Sequence, residues 1–220
     1  MSGRKLYLKN AICPLCGTKI QTFARTGCGY MEPRYTFDLR SNSVDYMKLH
    51  SGLHLCTNCG HVFAENDEVP PNAKDTIKTE AYKTCDGIDF GDEITAEKYY
   101  KYALIQLKND NFYGAFYAFL FGAWVCDDHD NKELSVMFRK KALDVFDDII
   151  WEKTEISEGF YLVRADILRR IGDFSTVIND YSKFDSINKD REMIARIQVV
   201  LAQKQDDSCH YFPDYSALFS

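Results

Sequence analysis

The chain has 220 residues, of which 45% are hydrophobic and 27% are charged, and its formal net charge is −6. This composition is that of a folded globular protein and excludes an intrinsically disordered chain. The most apolar stretch, residues 112–126, is shorter than the roughly 20 residues that a membrane-spanning helix needs. No apolar run with a cleavage site follows the basic start, so the sequence predicts a cytoplasmic protein with no membrane partner.

The first predicted unit, residues 10–66, contains short β-prone runs separated by glycines, which is typical of a zinc ribbon. Two Cys-x-x-Cys-Gly motifs lie within it, and in such a motif both sulfurs can reach one ion while the glycine lets backbone N–H groups turn toward them. Because zinc takes four tetrahedral ligands, we predict that one structural Zn²⁺ is held by Cys13, Cys16, Cys56 and Cys59. Four thiolates leave no position for water, so no catalytic site is predicted there.

A rubredoxin-like iron site for electron transfer is the alternative for these motifs, since rubredoxins also use Cys-Pro-x-Cys-Gly. Zinc is favoured because the second motif has Thr57 in place of proline and the 39 residues between Cys16 and Cys56 exceed a rubredoxin's insert. Cys28 and His61 lie near the motifs and could be spare ligands, or His61 could donate a hydrogen bond to the site. The sequence indicates no role for Cys85, Cys209 or His210, and Cys126 is read as a small buried hydrophobe.

Charge divides along the chain, because the first 64 residues carry +5 and the remainder carries −11. A basic ribbon suggests a second hypothesis, in which Arg25, Arg34 and Arg40 bind the phosphates of a nucleic acid or another anion. Part of this charge also offsets the −2 of four thiolates around Zn²⁺. The acidic remainder opposes a large polyanion, so nucleic-acid binding is the second choice.

The rest of the chain is predicted to be helical. Residues 67–93 contain Pro70, Pro71 and several acids and are predicted to be a linker. Beyond them apolar residues recur at helical spacing, with no proline until Pro213, which predicts a helical domain over 94–205 and a tail over 206–220. Helices are expected near 95–109, 112–128, 132–151, 157–171, 174–185 and 189–204. The predicted fold class is mainly α with a small β zinc ribbon.

Two predicted turns are alike. Asp110-Asn111-Phe112 and Gly172-Asp173-Phe174 resemble each other and the small-acidic-aromatic turn of tetratricopeptide repeats, and short turns imply antiparallel helices. A generic helical bundle is the alternative, because the long helix between the two turns breaks the 34-residue period. The repeat pattern assigns packing positions to Tyr99, Ala103, Ala115 and Phe119 in one unit and to Tyr161, Ala165, Val177 and Tyr181 in the other.

The ordered combination of two cysteine motifs and these helices resembles a bacterial family, domain of unknown function 2225. The residues that carry the resemblance are 13–17, 56–60 and 161–174. It implies a zinc ribbon followed by tetratricopeptide-like helices over nearly the whole chain, and it implies no activity. The sequence departs from the family at Thr57 and His61, where proline and tyrosine are expected.

The functional prediction is a binding module. No phosphate loop, His-Glu-x-x-His motif, nucleophile elbow or dinucleotide fingerprint is present. Stacked helices of the tetratricopeptide type offer a surface to a peptide or partner protein. We therefore expect a non-catalytic scaffold or adaptor, with nucleic-acid binding as the alternative and redox chemistry as a third hypothesis.

Overall fold

The computed structural model describes residues 5–26, 35–40, 49–65, 67–152 and 157–211. The chain folds into two compact units, the first drawn from Met1–Met31 and Tyr46–Ile149 and the second from Glu32–Asp45 and Ile150–Ser220. Most of the described secondary structure is helical, and the described strands form two small antiparallel sheets. The predicted fold class, mainly α with a small β ribbon, is confirmed.

Two β-hairpins form the ribbon in the first unit. In each hairpin six residues separate the last residue of one strand from the first residue of the next, with Ile12 opposite Lys19 and Leu55 opposite Val62. Each six-residue tip begins with a cysteine motif, so the fold builds the same turn twice. The strands are β1 (Lys5–Ile12), β2 (Lys19–Thr26), β3 (Leu53–Leu55) and β4 (Val62–Ala64).

Helices follow the ribbon. In the first unit they are α1 (Ala73–Thr76), α2 (Glu80–Thr84), a 3-10 turn (Cys85–Gly87), α3 (Ile94–Lys108), α4 (Phe112–Asp128) and α5 (Lys132–Asp144). The helix α6 (Phe146–Glu152) begins in the first unit. The second unit contains α7 (Glu158–Arg170), α8 (Phe174–Tyr181) and α9 (Lys189–Gln203). Among the described residues, no helix combines the length and the apolar character needed to cross a membrane.

One turn design joins three of the helix pairs. The second residue beyond the end of the first helix has a positive φ, and the next residue caps the following helix by accepting a hydrogen bond from the N–H three positions on. Three-residue turns of this kind reverse the chain, so the joined helices are antiparallel. The positive-φ residues are Asp110, Asp130 and Gly172, and the caps are Asn111, Asn131 and Asp173.

Aromatic rings fill the core between α3, α4 and α5. The rings of Phe90, Tyr100 and Phe119 each lie within 6.5 Å of the Phe138 ring, centroid to centroid. Tilted and edge-on contacts at this range stabilise a core beyond the area that they bury. Gly122 of α4 also faces Phe138, because a Cβ built there would lie 2.6 Å from Cδ1 and 2.7 Å from Cζ of that ring.

Replacing Gly122 with alanine should therefore destabilise the first unit. The helical propensity of alanine favours the change by about 1 kcal/mol, but forcing a methyl group into a packed core costs about 1–3 kcal/mol. We expect a net loss of up to about 2 kcal/mol in urea unfolding. Gly159→Ala is the matched control, since only Ser157 Oγ lies near its Cβ, at 3.8 Å, and it should not destabilise. Equal stability of both variants would contradict the packing argument.

The predicted linker differs most from the structure. Residues 67–93 contain α1, α2 and the 3-10 turn, and Ala73 and Tyr82 are buried with Ile105 of α3 in one apolar cluster. The two prolines lie just before α1, where Ala73 N–H donates to Pro70 O at 3.0 Å, so they precede a helix instead of separating two domains. The predicted helix over 132–151 is also interrupted, since α5 ends at Asp144 and α6 begins at Phe146.

The second unit takes residues from the insert between the cysteine motifs. Phe37 is buried against Ile197 and Leu201 of α9. The predicted ribbon over 10–66 thus includes a segment, 35–40, that belongs to the second unit. The predicted tail, 206–220, also begins inside that unit, because the backbone oxygens of Asp206 and Ser208 accept hydrogen bonds from Arg169.

Candidate metal centre

Each hairpin tip has the same backbone hydrogen bonds. Cys13 N–H donates to Thr18 O and Gly17 N–H donates to Cys13 O, both at 2.9 Å. In the second tip Cys56 N–H donates to His61 O and Gly60 N–H donates to Cys56 O, again at 2.9 Å. The two turns are therefore equivalent, and each directs two cysteines to the same side.

Glycine is needed in each turn for its backbone conformation. Gly17 has φ of 74° and Gly60 has φ of 77°, in the left-handed region that other residues rarely adopt. Open space surrounds both positions, since no atom lies within 4 Å of a Cβ built there. The glycines thus permit the reversal of the chain after the second cysteine, and packing does not demand them.

The four sulfurs meet in one cluster. Sγ of Cys13 lies 3.7 Å from Sγ of Cys59, Sγ of Cys16 lies 3.6 Å from Sγ of Cys56, and all four lie within 4.8 Å of one another. A tetrahedral ion with metal–sulfur bonds of about 2.3 Å holds its sulfurs about 3.8 Å apart. The cluster therefore has the composition and spacing to hold a metal ion.

The environment of the thiols is uneven. Cys13 and Cys56 are buried and Cys16 is exposed. Hydrogen bonding by Thr18, whose Oγ1 lies 3.2 Å from Sγ of Cys16, lowers the pKa of Cys16 to about 6. Burial raises the pKa of Cys59 to about 12, and burial also raises the pKa of Cys13. A cation bound here would deprotonate the coordinating thiols, including those whose pKa burial raises.

His61 supports the cluster from beside it. Its Nδ1 lies 4.0 Å from Sγ of Cys13, and its ring stacks on Phe63 with centroids 5.7 Å apart. Burial lowers the pKa of His61, which favours the neutral ring. The ring is placed to donate a hydrogen bond to the Cys13 sulfur, one of the two roles predicted for it, while four cysteines make up the cluster itself.

The hairpin tips 13–18 and 56–61 are called the first and second knuckle. Tyr82 connects the second knuckle to the helices. Its hydroxyl donates to Gly60 O at 2.8 Å and accepts from Val62 N–H at 3.1 Å. Burial raises the pKa of Tyr82, so the hydroxyl remains a donor at neutral pH. Lys101 of α3 lies over the ring, with Nζ 5.7 Å from the centroid. Sequence reasoning missed this residue, because it lies in the predicted linker and no local motif marks it.

Tyr82→Phe should loosen the second knuckle. The change leaves the N–H of buried Val62 without its acceptor, which costs about 1–3 kcal/mol. We expect faster transfer of the metal to a chromophoric chelator and a lower unfolding midpoint. Tyr7→Phe removes a hydroxyl from an exposed position on β1 and should change neither. Identical chelation rates for the two variants would show that Tyr82 does not hold the knuckle.

The three arginines of the anion-binding hypothesis are placed differently. Arg25 lies on β2 opposite Leu6 in the first unit, whereas Arg40 belongs to the second unit. Arg34 lies outside the described residues. Nucleic-acid binding therefore stays a prediction.

The other cysteines do not join the cluster where they are described. Burial raises the pKa of Cys85 to about 11 and that of Cys126 to about 12, which makes both poor nucleophiles. Cys209 is exposed, and Cys28 lies outside the described residues. His210 is paired with Asp206, whose Oδ2 lies 2.9 Å from its Nε2.

Fold and site together define a mainly α-helical protein with a small β ribbon, whose four-cysteine cluster could hold a metal ion. The chain belongs to the family described as an uncharacterized protein conserved in bacteria, DUF2225, which matches residues 6–206. No curated protein and no solved structure gave a significant match. The predicted family is thus confirmed.

Proposed function

We propose that the cluster holds one structural Zn²⁺ and that the protein is a non-catalytic binding module for a protein or peptide partner. The observation that carries the first part is the set of four sulfurs at tetrahedral spacing. Four thiolates complete the coordination of zinc and leave no site for water or substrate. A cluster of reduced thiols also suits the cytoplasm, where we place the protein.

Zinc is preferred to iron for reasons of sequence and surroundings. A tetrahedral four-sulfur site suits either metal. The second knuckle lacks the proline of rubredoxins. The insert between the two cysteine motifs contributes residues 35–40 to the second unit. An insert that reaches into another unit is typical of a structural metal site, which fixes the path of the chain. A rubredoxin-like electron carrier is instead a compact domain around its iron.

The helical pairs support the binding role. α3 pairs with α4 and α7 pairs with α8 through the same capped turn, as tetratricopeptide repeats do. Most of the assigned packing positions are buried, namely Tyr99, Ala103, Ala115, Phe119, Ala165, Val177 and Tyr181, whereas Tyr161 is partly exposed. Helices packed in this way present an outer surface that a peptide can occupy.

Affinity capture from cells that express the protein natively tests the binding role. The bait is the full chain, and the control is the same bait stripped of metal by a chelator. We expect specific proteins that survive nuclease treatment and are lost from the stripped bait. Recovery of nucleic acid with proteins that nuclease removes would favour the basic ribbon as a nucleic-acid reader, and recovery of neither would overturn the proposal.

A further inference from the structure

A cleft of about 320 Å³ opens in the first unit beside the second knuckle. One wall is a stripe of α3 that carries Tyr102, Ile105 and Gln106, which lie at helical spacing, and Asn109 continues it just beyond the end of the helix. The hairpin residues 61–63 and the segment 67–71 form the other walls. The cleft thus lies where the ribbon, the segment 67–71 and α3 meet.

Gln106 brings an unpartnered donor to this cleft. It is only 7% exposed, and its Oε1 accepts from Nδ2 of Asn111 at 2.7 Å. Asn111 is itself held, because its Oδ1 accepts from Gly114 N–H in the cap of α4. The amide of Gln106 therefore has a defined orientation, and its Nε2 has no partner among the described residues and is left to the cleft.

Acceptors line the same cleft. Asp67 accepts from the Tyr102 hydroxyl at 2.9 Å and from Ala64 N–H at 3.0 Å through Oδ2, which leaves Oδ1 unpartnered within the described part of the chain. The ring of His61 is 2% exposed and faces Cys13 through Nδ1, so its Nε2 is left to the cleft.

The charge of the cleft selects the ligand. Asp67 and Glu68 line it, and no lysine or arginine is among the described residues that do. Val69, Pro70 and Ile105 add apolar surface. A ligand that fits needs a carbonyl oxygen for Gln106, N–H groups for the acceptors and a positive charge near the acids, all of which a short peptide with an arginine side chain supplies.

We propose that this cleft binds a basic segment of a partner protein, with a backbone carbonyl on Gln106 Nε2 and a guanidinium group beside Asp67 and Glu68. This inference rests on the proposed binding function and gives it a location and a charge. It differs from the sequence-based expectation of a surface formed by stacked helices, because the second knuckle supplies part of the site.

An NMR titration of the zinc-loaded full chain tests the cleft. The probe is a capped hexapeptide of one arginine among alanines, and the matched peptide carries neutral citrulline in its place. We expect the side-chain NH₂ signal of Gln106 to move and the arginine peptide to bind at least about threefold more tightly than the citrulline peptide, with the difference shrinking in salt. Shifts confined to other surfaces, or equal binding of both peptides, would overturn the proposal.

Variants separate the two interactions. Gln106→Met keeps the length of the side chain and removes its donors, and it should weaken the arginine peptide on the order of tenfold. Glu68→Gln removes one exposed acid at the cleft and should weaken it about threefold, whereas Glu133→Gln removes an exposed acid of α5 and should have no effect. Metal content and unfolding midpoint are checked for each variant. Unchanged affinity in both cleft variants would contradict the assignment.

The same variants distinguish this inference from the wider proposal. If Gln106→Met captures the native partners as well as the wild-type chain does, the assignment of binding to this cleft is wrong, whereas the proposal that the protein is a binding module is supported. If the wild-type chain captures no partner, the binding module itself fails. Loss of capture in Gln106→Met, with metal and fold intact, supports both.

Discussion

Cys13→Ser should cost the protein its metal and unfold the ribbon. Cys13 is fully buried at the start of the first knuckle, and its sulfur lies beside those of Cys59 and Cys16. Structural zinc supplies on the order of 10 kcal/mol to small domains that cannot bury enough apolar surface. The second hairpin has strands of only three residues, and the core around Phe63 is small, so the ribbon depends on that contribution.

Elemental analysis and hydrogen exchange would measure this effect together. We expect less than one tenth of an equivalent of zinc in Cys13→Ser and loss of amide protection in β3 and β4. Cys209→Ser makes the same chemical change at an exposed cysteine outside the cluster and should keep one equivalent. A Cys13→Ser protein with full metal content and a protected ribbon would show that the cluster does not act as one site.

The second large effect is expected at Arg169 in the second unit. Its guanidinium is fully buried and donates to Asp166 Oδ1 at 2.7 Å and to Gln198 Oε1 at 2.7 Å. It also donates to the backbone oxygens of Asp206 and Ser208, at 2.6 and 2.8 Å. Removing one partner of a buried ion pair costs about 3–5 kcal/mol, because the other charge stays buried. Arg169→Met should destabilise the second unit by that amount.

Two further variants calibrate the effect of Arg169. Arg196→Met removes an exposed arginine of α9 whose side chain is 69% accessible, and it should change stability by less than about 0.5 kcal/mol. Asp166→Asn combined with Arg169→Met removes both charges and should cost less than Arg169→Met alone. Urea unfolding with hydrogen exchange in α7 and α9 provides the measurement. If the double variant is less stable to urea than Arg169→Met alone, packing and not charge dominates this site.

Local signals predicted much of the fold. The cysteine motifs specify their own turns through glycine and short backbone hydrogen bonds, so Cys13, Cys16, Cys56 and Cys59 could be grouped from spacing alone. The helices over 94–108, 112–128, 158–170 and 189–203 were predicted to within one residue at each end, because apolar periodicity and Asx caps are also local. The helix predicted over 132–151 is interrupted, the one predicted over 174–185 ends at Tyr181, and α1 and α2 were not predicted. The third capped turn, at Asp130 and Asn131, was not grouped with the others because Lys132 follows it where the other two turns have phenylalanine.

Features that depend on distant contacts were not predictable. Pro70 and Pro71 indicated a linker, yet burial of Ala73 against α3 makes the segment part of the first unit. Phe37 carried no signal of its place against α9. Tyr82 hydrogen-bonds to Gly60 and Val62, which lie 22 and 20 positions away, and Gln106 hydrogen-bonds to Asn111 beyond the end of α3. No sequence period records such contacts.

X-ray absorption at the zinc edge, combined with elemental analysis of the purified chain, tests directly whether the four cysteines hold zinc. We expect one zinc per chain with four sulfur neighbours at about 2.3 Å and no coordinating nitrogen or oxygen. Iron with red colour, a mixed nitrogen and sulfur shell, or a folded ribbon that holds no metal would contradict it.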